Sequence, residues 1–119
     1  MTGTLIDWTL PVRTVSEANV TDHWSVKSKR KLGQRTLIEC RWNKERPAIP
    51  LPCTVKMTRL APRKLDDDNL VMALKHCRDT IADLIRPGFR PGMADGCGLI
   101  KWQYEQSSAK VLGLRIEIF

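Results

Sequence analysis

The sequence predicts an α+β domain, with two main helices packed on a four-stranded mixed sheet in the order β-α-β-α-β-β. Three observations predict it. Four segments alternate apolar and polar residues at the two-residue period of a half-buried strand. One long segment carries an apolar stripe at helical spacing, from Leu70 to Leu84. Clusters of proline and glycine fall between these segments, where they break the chain without interrupting an element.

The first strand is "LIDWTL", which sets Leu5 or Ile6, Trp8 and Leu10 against Asp7 and Thr9 and is ended by Pro11. "SEANVTDHW" then offers several capping residues. The stretch from about His23 to Lys44 reads as a helix with Asp22 as its N-cap, and Gly33 marks where it could kink or split. "ERPAIPLP" holds three prolines and must be an irregular connection. "CTVKMTRL", Cys53 to Leu60, alternates again as a second strand.

The second helix is the clearest element. Leu70, Leu74, Cys77, Ile81 and Leu84 recur at steps of four, three, four and three, while Lys75 and Asp79 form a helpful pair one turn apart. "RPGFRPG" stops it and makes a loop. In the tail, Ile100, Trp102 and Tyr104 alternate with polar neighbours, as do Leu112, Leu114, Ile116 and Ile118. "SSAK" between them is the expected turn of a hairpin.

With 119 residues the chain is long enough for one domain, residues 1–119, and one modest core. No apolar run approaches the roughly 18 residues of a membrane span, and "MTGTLIDW" lacks a secretory pattern. A soluble, cytoplasmic protein without a membrane partner is expected. Its four cysteines, Cys40, Cys53, Cys77 and Cys97, form no CxxC pair and read as free thiols. A zinc site of His76, Cys77 and Cys97 fits poorly, because adjacent helical residues point about 100° apart. Buried apolar cysteine is the expected role.

The formal charge of +7 is unevenly spread. Residues 1–64 hold thirteen Lys/Arg against five Asp/Glu, a net +8, and residues 65–119 hold seven against eight, a net −1. A basic half of this kind suits a polyanion such as nucleic acid, with a merely solvated basic surface as the alternative.

Against that charge, "KLDDDNL" sets Asp66, Asp67 and Asp68 side by side. An Asp at a helix start caps free N–H groups and favours the positive end of the macrodipole. One cap needs one Asp, however, and three crowded carboxylates repel unless a cation is near. If Asp66 is still extended, Asp66 and Asp68 can point to the same side, and a carboxylate pair with open positions suits Mg2+. Asp95 in "GMADGCG" is the best candidate for a third acid, although an Asp-Gly pair also reads simply as a turn.

Taken together, "RKLDDDNLVMALKHCRDTIADLI" resembles the Asp-x-Asp-Asn-Leu helix start of the RusA-type Holliday junction resolvases, endonucleases of bacteria and their phages. "LPCTVKMTRLAP" is similar to the strand that leads into that motif, and "SEANVTDHW" loosely to the family's N-terminal segment. The resemblance covers most of the chain and is most specific over residues 63–96. It implies that Asp66, Asp68 and Asp95 are catalytic, metal-binding carboxylates, with Asp67 in the variable middle position. It further implies Mg2+-dependent hydrolysis of DNA at four-way or branched junctions, with Mn2+ as a substitute, by a homodimer. Two positions depart from the family pattern. Met72 stands where a Lys is common, with Lys75 or Lys64 as possible replacements, and Ala94-Asp95 stands where a paired Asp-Asp is common.

The basic run "VKSKRKLGQR" is the expected DNA grip, through Lys27, Lys29, Arg30, Lys31 and Arg35, with a solvated helix face as the alternative. Arg63 and Lys64, beside the acids, are better placed for phosphate, and Lys75 completes the set. Trp24 is expected in the core, with stacking on an exposed base as its alternative. His23 and His76 read as surface or packing residues. Two non-nuclease readings stay open: a branched-DNA-binding protein whose metal site has degraded, and an interaction protein whose acids cap a helix and pair with Arg63 or Arg78.

Overall fold

β1 (Ile6–Leu10) keeps the expected alternation, with Ile6, Trp8 and Leu10 buried and Asp7 and Thr9 exposed. Ile6, not Leu5, is its first inward residue. These elements belong to a computed structural model that describes residues 5–14, 24–86 and 98–119. The proposed Asp22 cap and His23 lie outside the described residues.

α1 (Trp24–Glu45) runs without interruption through Gly33, where an added Cβ would meet nothing within 4 Å. The glycine therefore costs helix propensity without splitting the helix. The helix closes on Arg46, at φ 45°, whose N–H donates to the Trp42 carbonyl at 2.6 Å. This is the left-handed cap usually given to glycine, and Pro47 then prevents continuation.

β2 (Cys53–Ala61) and α2 (Asp67–Ile85) follow, then β3 (Ile100–Ser108) and β4 (Gly113–Ile118). The fold is α+β, with a four-stranded mixed sheet in the order β1-β4-β2-β3. β4 is antiparallel to both β1 and β2, whereas β3 is parallel to β2 and reaches it through α2.

The tail is therefore not a hairpin, because β2 lies between β3 and β4. The crossing uses residues 109–112 and is tied to the end of β2 by the Ala109 N–H, which donates to the Ala61 carbonyl at 3.0 Å. Skipping one strand requires about 10 Å, within reach of four residues at about 3.3 Å each. Alternation records which side chains are buried but not which strand lies alongside. Ser107 and Ser108 belong to β3, so "SSAK" is not the turn, and Leu112 is exposed ahead of β4.

One face of the sheet carries the core. Val55, Met57, Leu114, Ile116 and Ile118 meet Leu70, Leu74, Cys77 and Ile81 of α2 and Ile38 of α1. Trp42 of α1 meets Trp8 edge-on, with ring centroids 6.2 Å apart. The other face is polar and laced by ion pairs. Arg115 bonds Asp7 and lies 3.6 Å from Glu117, and Lys56 lies 3.3 Å from Glu105. Among the described residues, Cys40, Cys53 and Cys77 are free thiols, and no helix is long and apolar enough to cross a membrane.

Candidate functional site

β2 ends at Ala61, and α2 begins after five intervening residues, so the acidic cluster sits at the carboxyl end of the parallel pair β2 and β3. In sheets with parallel strands that end is where ligands commonly bind. Asp66 is the N-cap residue of α2, extended at φ −62° and ψ 157°, as the metal-site reading requires. Its carbonyl accepts the Leu70 N–H at 2.8 Å, the first bond of the helix.

Asp66, Asp67 and Asp68 are all exposed. The Asp66 side chain makes no capping hydrogen bond. Among the described residues, none of the three carboxylates has a hydrogen-bond or ion-pair partner. Arg78 instead donates to the Tyr104 hydroxyl and lies over the Trp102 ring at 5.1 Å. The helix dipole favours negative charge here, but among the described residues no side-chain contact uses these oxygens.

The turn that carries the cluster is braced by two residues outside the sequence-derived candidates. Gln106 of β3 accepts the Leu65 N–H at 2.8 Å through Oε1 and donates to the Leu65 carbonyl at 2.6 Å through Nε2. Arg59 of β2, 8% exposed, donates to the Arg63 carbonyl at 2.7 Å and to the Thr14 hydroxyl at 3.1 Å. Burial lowers the Arg59 pKa from the usual arginine value. A signal for both was present. Arg59 shares its register with Cys53, Val55 and Met57, and Gln106 with Ile100, Trp102 and Tyr104, so both polar residues stand at inward positions of strands.

Asp95 lies outside the described residues. Arg86 and Gly98, which flank the stretch containing it, lie at the opposite end of α2 and β3 from Asp66, and α2 alone is about 28 Å long. Among the described residues, no three His, Cys, Asp or Glu side chains group as a metal site. A zinc site through Cys77 is disfavoured, since burial pushes its thiol up to about 12 and the sulfur donates to the Gln34 side chain. Cys97 is outside the described residues.

The basic candidates divide. Arg63 and Lys64 are exposed and adjoin the acids in the chain, and Lys29 and Lys31 are exposed on α1. Lys27, Arg30 and Arg35 are half-buried. Arg35 is also engaged, bonded to Glu39 and 3.6 Å from Asp83. Lys75 lies 3.9 Å from Asp79, the expected intrahelical pair. Lys31, Arg35 and Lys75 nevertheless line one groove between α1 and α2, shared with Asp79 and Asp83. Lys75 also lines a depression beside Met72. Trp24 is 72% exposed, contrary to its expected core position, because the first turn of α1 extends beyond the core that Ile38 and Trp42 join.

Comparison of the chain with family models, with curated proteins and with solved structures returns no match.

Proposed function

We propose that the chain is a Mg2+-dependent endonuclease that cuts four-way or branched DNA, in recombination, repair or phage DNA processing, and works as a homodimer. The observation that carries this reading is the state of Asp66 and Asp68. Two exposed carboxylates, without a side-chain partner among the described residues, stand at the carboxyl end of parallel strands, in a turn that also exposes Arg63 and Lys64.

The donor set suits the metal. Hard carboxylate oxygens, open to solvent, match an ion that keeps several waters and takes phosphate oxygens. Asp66 and Asp68 would hold it; Asp95, the third acid that the family resemblance implies, follows the far end of α2 in the chain and carries no part of this reading. A bound Mg2+ supplies a water of lowered pKa and polarises the phosphoryl group. Arg63 and Lys64 take the neighbouring phosphates, and Lys29 and Lys31 extend the contact along the duplex. Lys75, beside Met72, stands in for the cation that the family often places one turn into the helix. A two-fold dimer supplies two sites for paired cuts on opposing strands.

The test is a synthetic four-way junction incubated with the protein and Mg2+ or Mn2+. Paired nicks are expected, abolished in Asp68→Asn while junction binding persists. Intact junctions over a wide range of metal concentration would reject the nuclease. Binding of branched DNA without cutting would select the second reading, a degraded site on the same scaffold, which Met72 favours.

A further inference from the structure

We propose that β3 is the surface through which two copies of this chain join, its open edge pairing antiparallel with the partner's β3 about a two-fold axis at Gln103. The inference rests on the reading of the chain as a homodimer, to which it gives an interface and a register, and not on the metal site.

The order β1-β4-β2-β3 leaves two edges. β1 is five residues long and stops at Pro11. β3 runs for nine residues in unbroken register with β2, without proline or glycine, and among the described residues no strand lies on its other side. A long regular edge of this kind is a template for another strand, which proteins normally shorten, twist or cover.

Two hydrogen bonds fix which backbone groups face that edge. The Leu99 carbonyl accepts the Cys53 N–H at 3.0 Å, and the Ala109 N–H donates to the Ala61 carbonyl at 3.0 Å, both toward β2. Successive residues of a strand turn their backbone groups to opposite sides, so the odd residues from 99 to 109 face β2. Ile100, Trp102, Tyr104 and Gln106 therefore turn theirs to the open edge.

An antiparallel copy centred on Gln103 uses those groups. Trp102 meets the partner's Tyr104 as a hydrogen-bonded pair, twice across the axis, and both rings lie on the core side of the sheet. Lys101 falls opposite the partner's Glu105, in the non-hydrogen-bonded positions where side chains lie closest. Among the described residues Lys101 has no ion pair, and Glu105 remains 58% exposed beside Lys56. Read backwards, the segment from Lys101 to Glu105 is complementary to itself: cation to anion, ring to ring, amide to amide. A two-fold interface requires that property. Moving the axis by one residue breaks both charge pairs.

The helix above the edge adds apolar surface. Arg78 lies over the Trp102 ring at 5.1 Å and donates to the Tyr104 hydroxyl, so this flank of α2 overhangs β3. A depression of about 240 Å3 there is lined by Val71, Met72, Lys75 and Arg78. Val71 and Met72 are exposed, and the two-fold turns the same flank of the partner's α2 toward them.

The test is sedimentation equilibrium of the full chain, in which the wild type is expected to dimerise. Lys101→Glu and Glu105→Lys each set like charges together at both contacts, and each alone is expected to weaken the dimer about tenfold or more. Mixed in equal amounts, the two variants oppose one acidic strand to one basic strand, and a heterodimer at least as tight as the wild type is expected. Amide exchange is the second readout. Trp102 and Tyr104 are expected to be protected in concentrated wild type and to exchange faster on dilution, while Lys101, Gln103 and Glu105 stay protected by β2. A dimer that neither variant weakens, or that protects neither Trp102 nor Tyr104, would overturn this interface and leave the homodimer standing. Weakened variants that do not recover on mixing would overturn the register about Gln103. A wild type that is monomeric at every concentration, its edge left to a strand of some other protein, would remove the homodimer reading and this interface with it. The junction-cutting assay decides the metal site separately.

Discussion

The Cys77 thiol donates to the side-chain carbonyl of Gln34 at 3.7 Å, and Gln34 in turn donates its amide to the Arg13 carbonyl at 2.7 Å. This buried relay joins α2, α1 and the segment after β1. It matters because Gln34 and Ile38 are the residues α1 buries fully, a thin apolar stripe for so long a helix. Docking of α1 therefore leans on polar contacts as well as on Trp42.

Gln34→Leu should lower stability by about 1–3 kcal/mol, the range for leaving a buried acceptor unsatisfied, since the Arg13 carbonyl loses its donor. Urea unfolding followed by tryptophan fluorescence checks it. An unchanged midpoint would mean that α1 docks through Ile38 and Trp42 alone.

Burial pushes the Cys77 thiol up from 9.0 to about 12. A raised pKa means that the neutral form is favoured in the fold. The associated stability is fully present below pH 9 and is lost as pH rises toward 12. Brief alkylation at pH 8, mapped by peptide mass, should label exposed Cys40 and spare Cys53 and Cys77 until the protein is unfolded. Labelling of Cys77 at the rate of Cys40 would contradict the packing around it.

Arg46 holds a left-handed conformation that glycine adopts without steric penalty. Arg46→Gly should raise stability by about 0.5–1 kcal/mol, provided the N–H bond to Trp42 is kept. A melting temperature equal to or below that of the wild type would show that the arginine side chain contributes more than its backbone costs.

Across β1 and β4, Arg115 grips both oxygens of Asp7, at 2.9 and 2.8 Å. The hydrogen bonds from Arg115, aided by its charge, hold the Asp7 carboxyl below its usual 3.8. A depressed pKa stabilises the fold above the unfolded value, and that contribution disappears as pH falls through the folded one. Carboxyl carbon NMR should place the Asp7 midpoint below 3.8 in the wild type and return it toward 3.8 in Arg115→Met. Because the pair is exposed, the shift should shrink at high salt.

Much of this fold could be read along the chain. The stripe from Leu70 to Ile81 defined α2, alternation at Ile6, Trp8 and Leu10 defined β1, and the prolines of 46–52 defined the connection between α1 and β2. The acidic run just ahead of a periodic helix marked where α2 starts, but whether Asp66 is still extended was left as a condition that the structure meets. Each of these rests on neighbours within one or two turns of chain, where spacing and side-chain type are enough.

Strand order did not follow from spacing, because every backbone ladder offers the same N–H and C=O groups whatever the side chains. β2 could enter between β3 and β4 without disturbing the alternation of either. Trp24 looked like a core residue until the path of α1 carried its first turn past the core. The clamp on Leu65 joins residues 41 positions apart, and it exists because parallel pairing sets Arg59 beside Gln106 at the end of the sheet where the acids emerge. Periodicity is local and survives in the linear sequence. Which distant groups meet is fixed by how two strands and a helix close around one core, and that closure is a property of the packed chain.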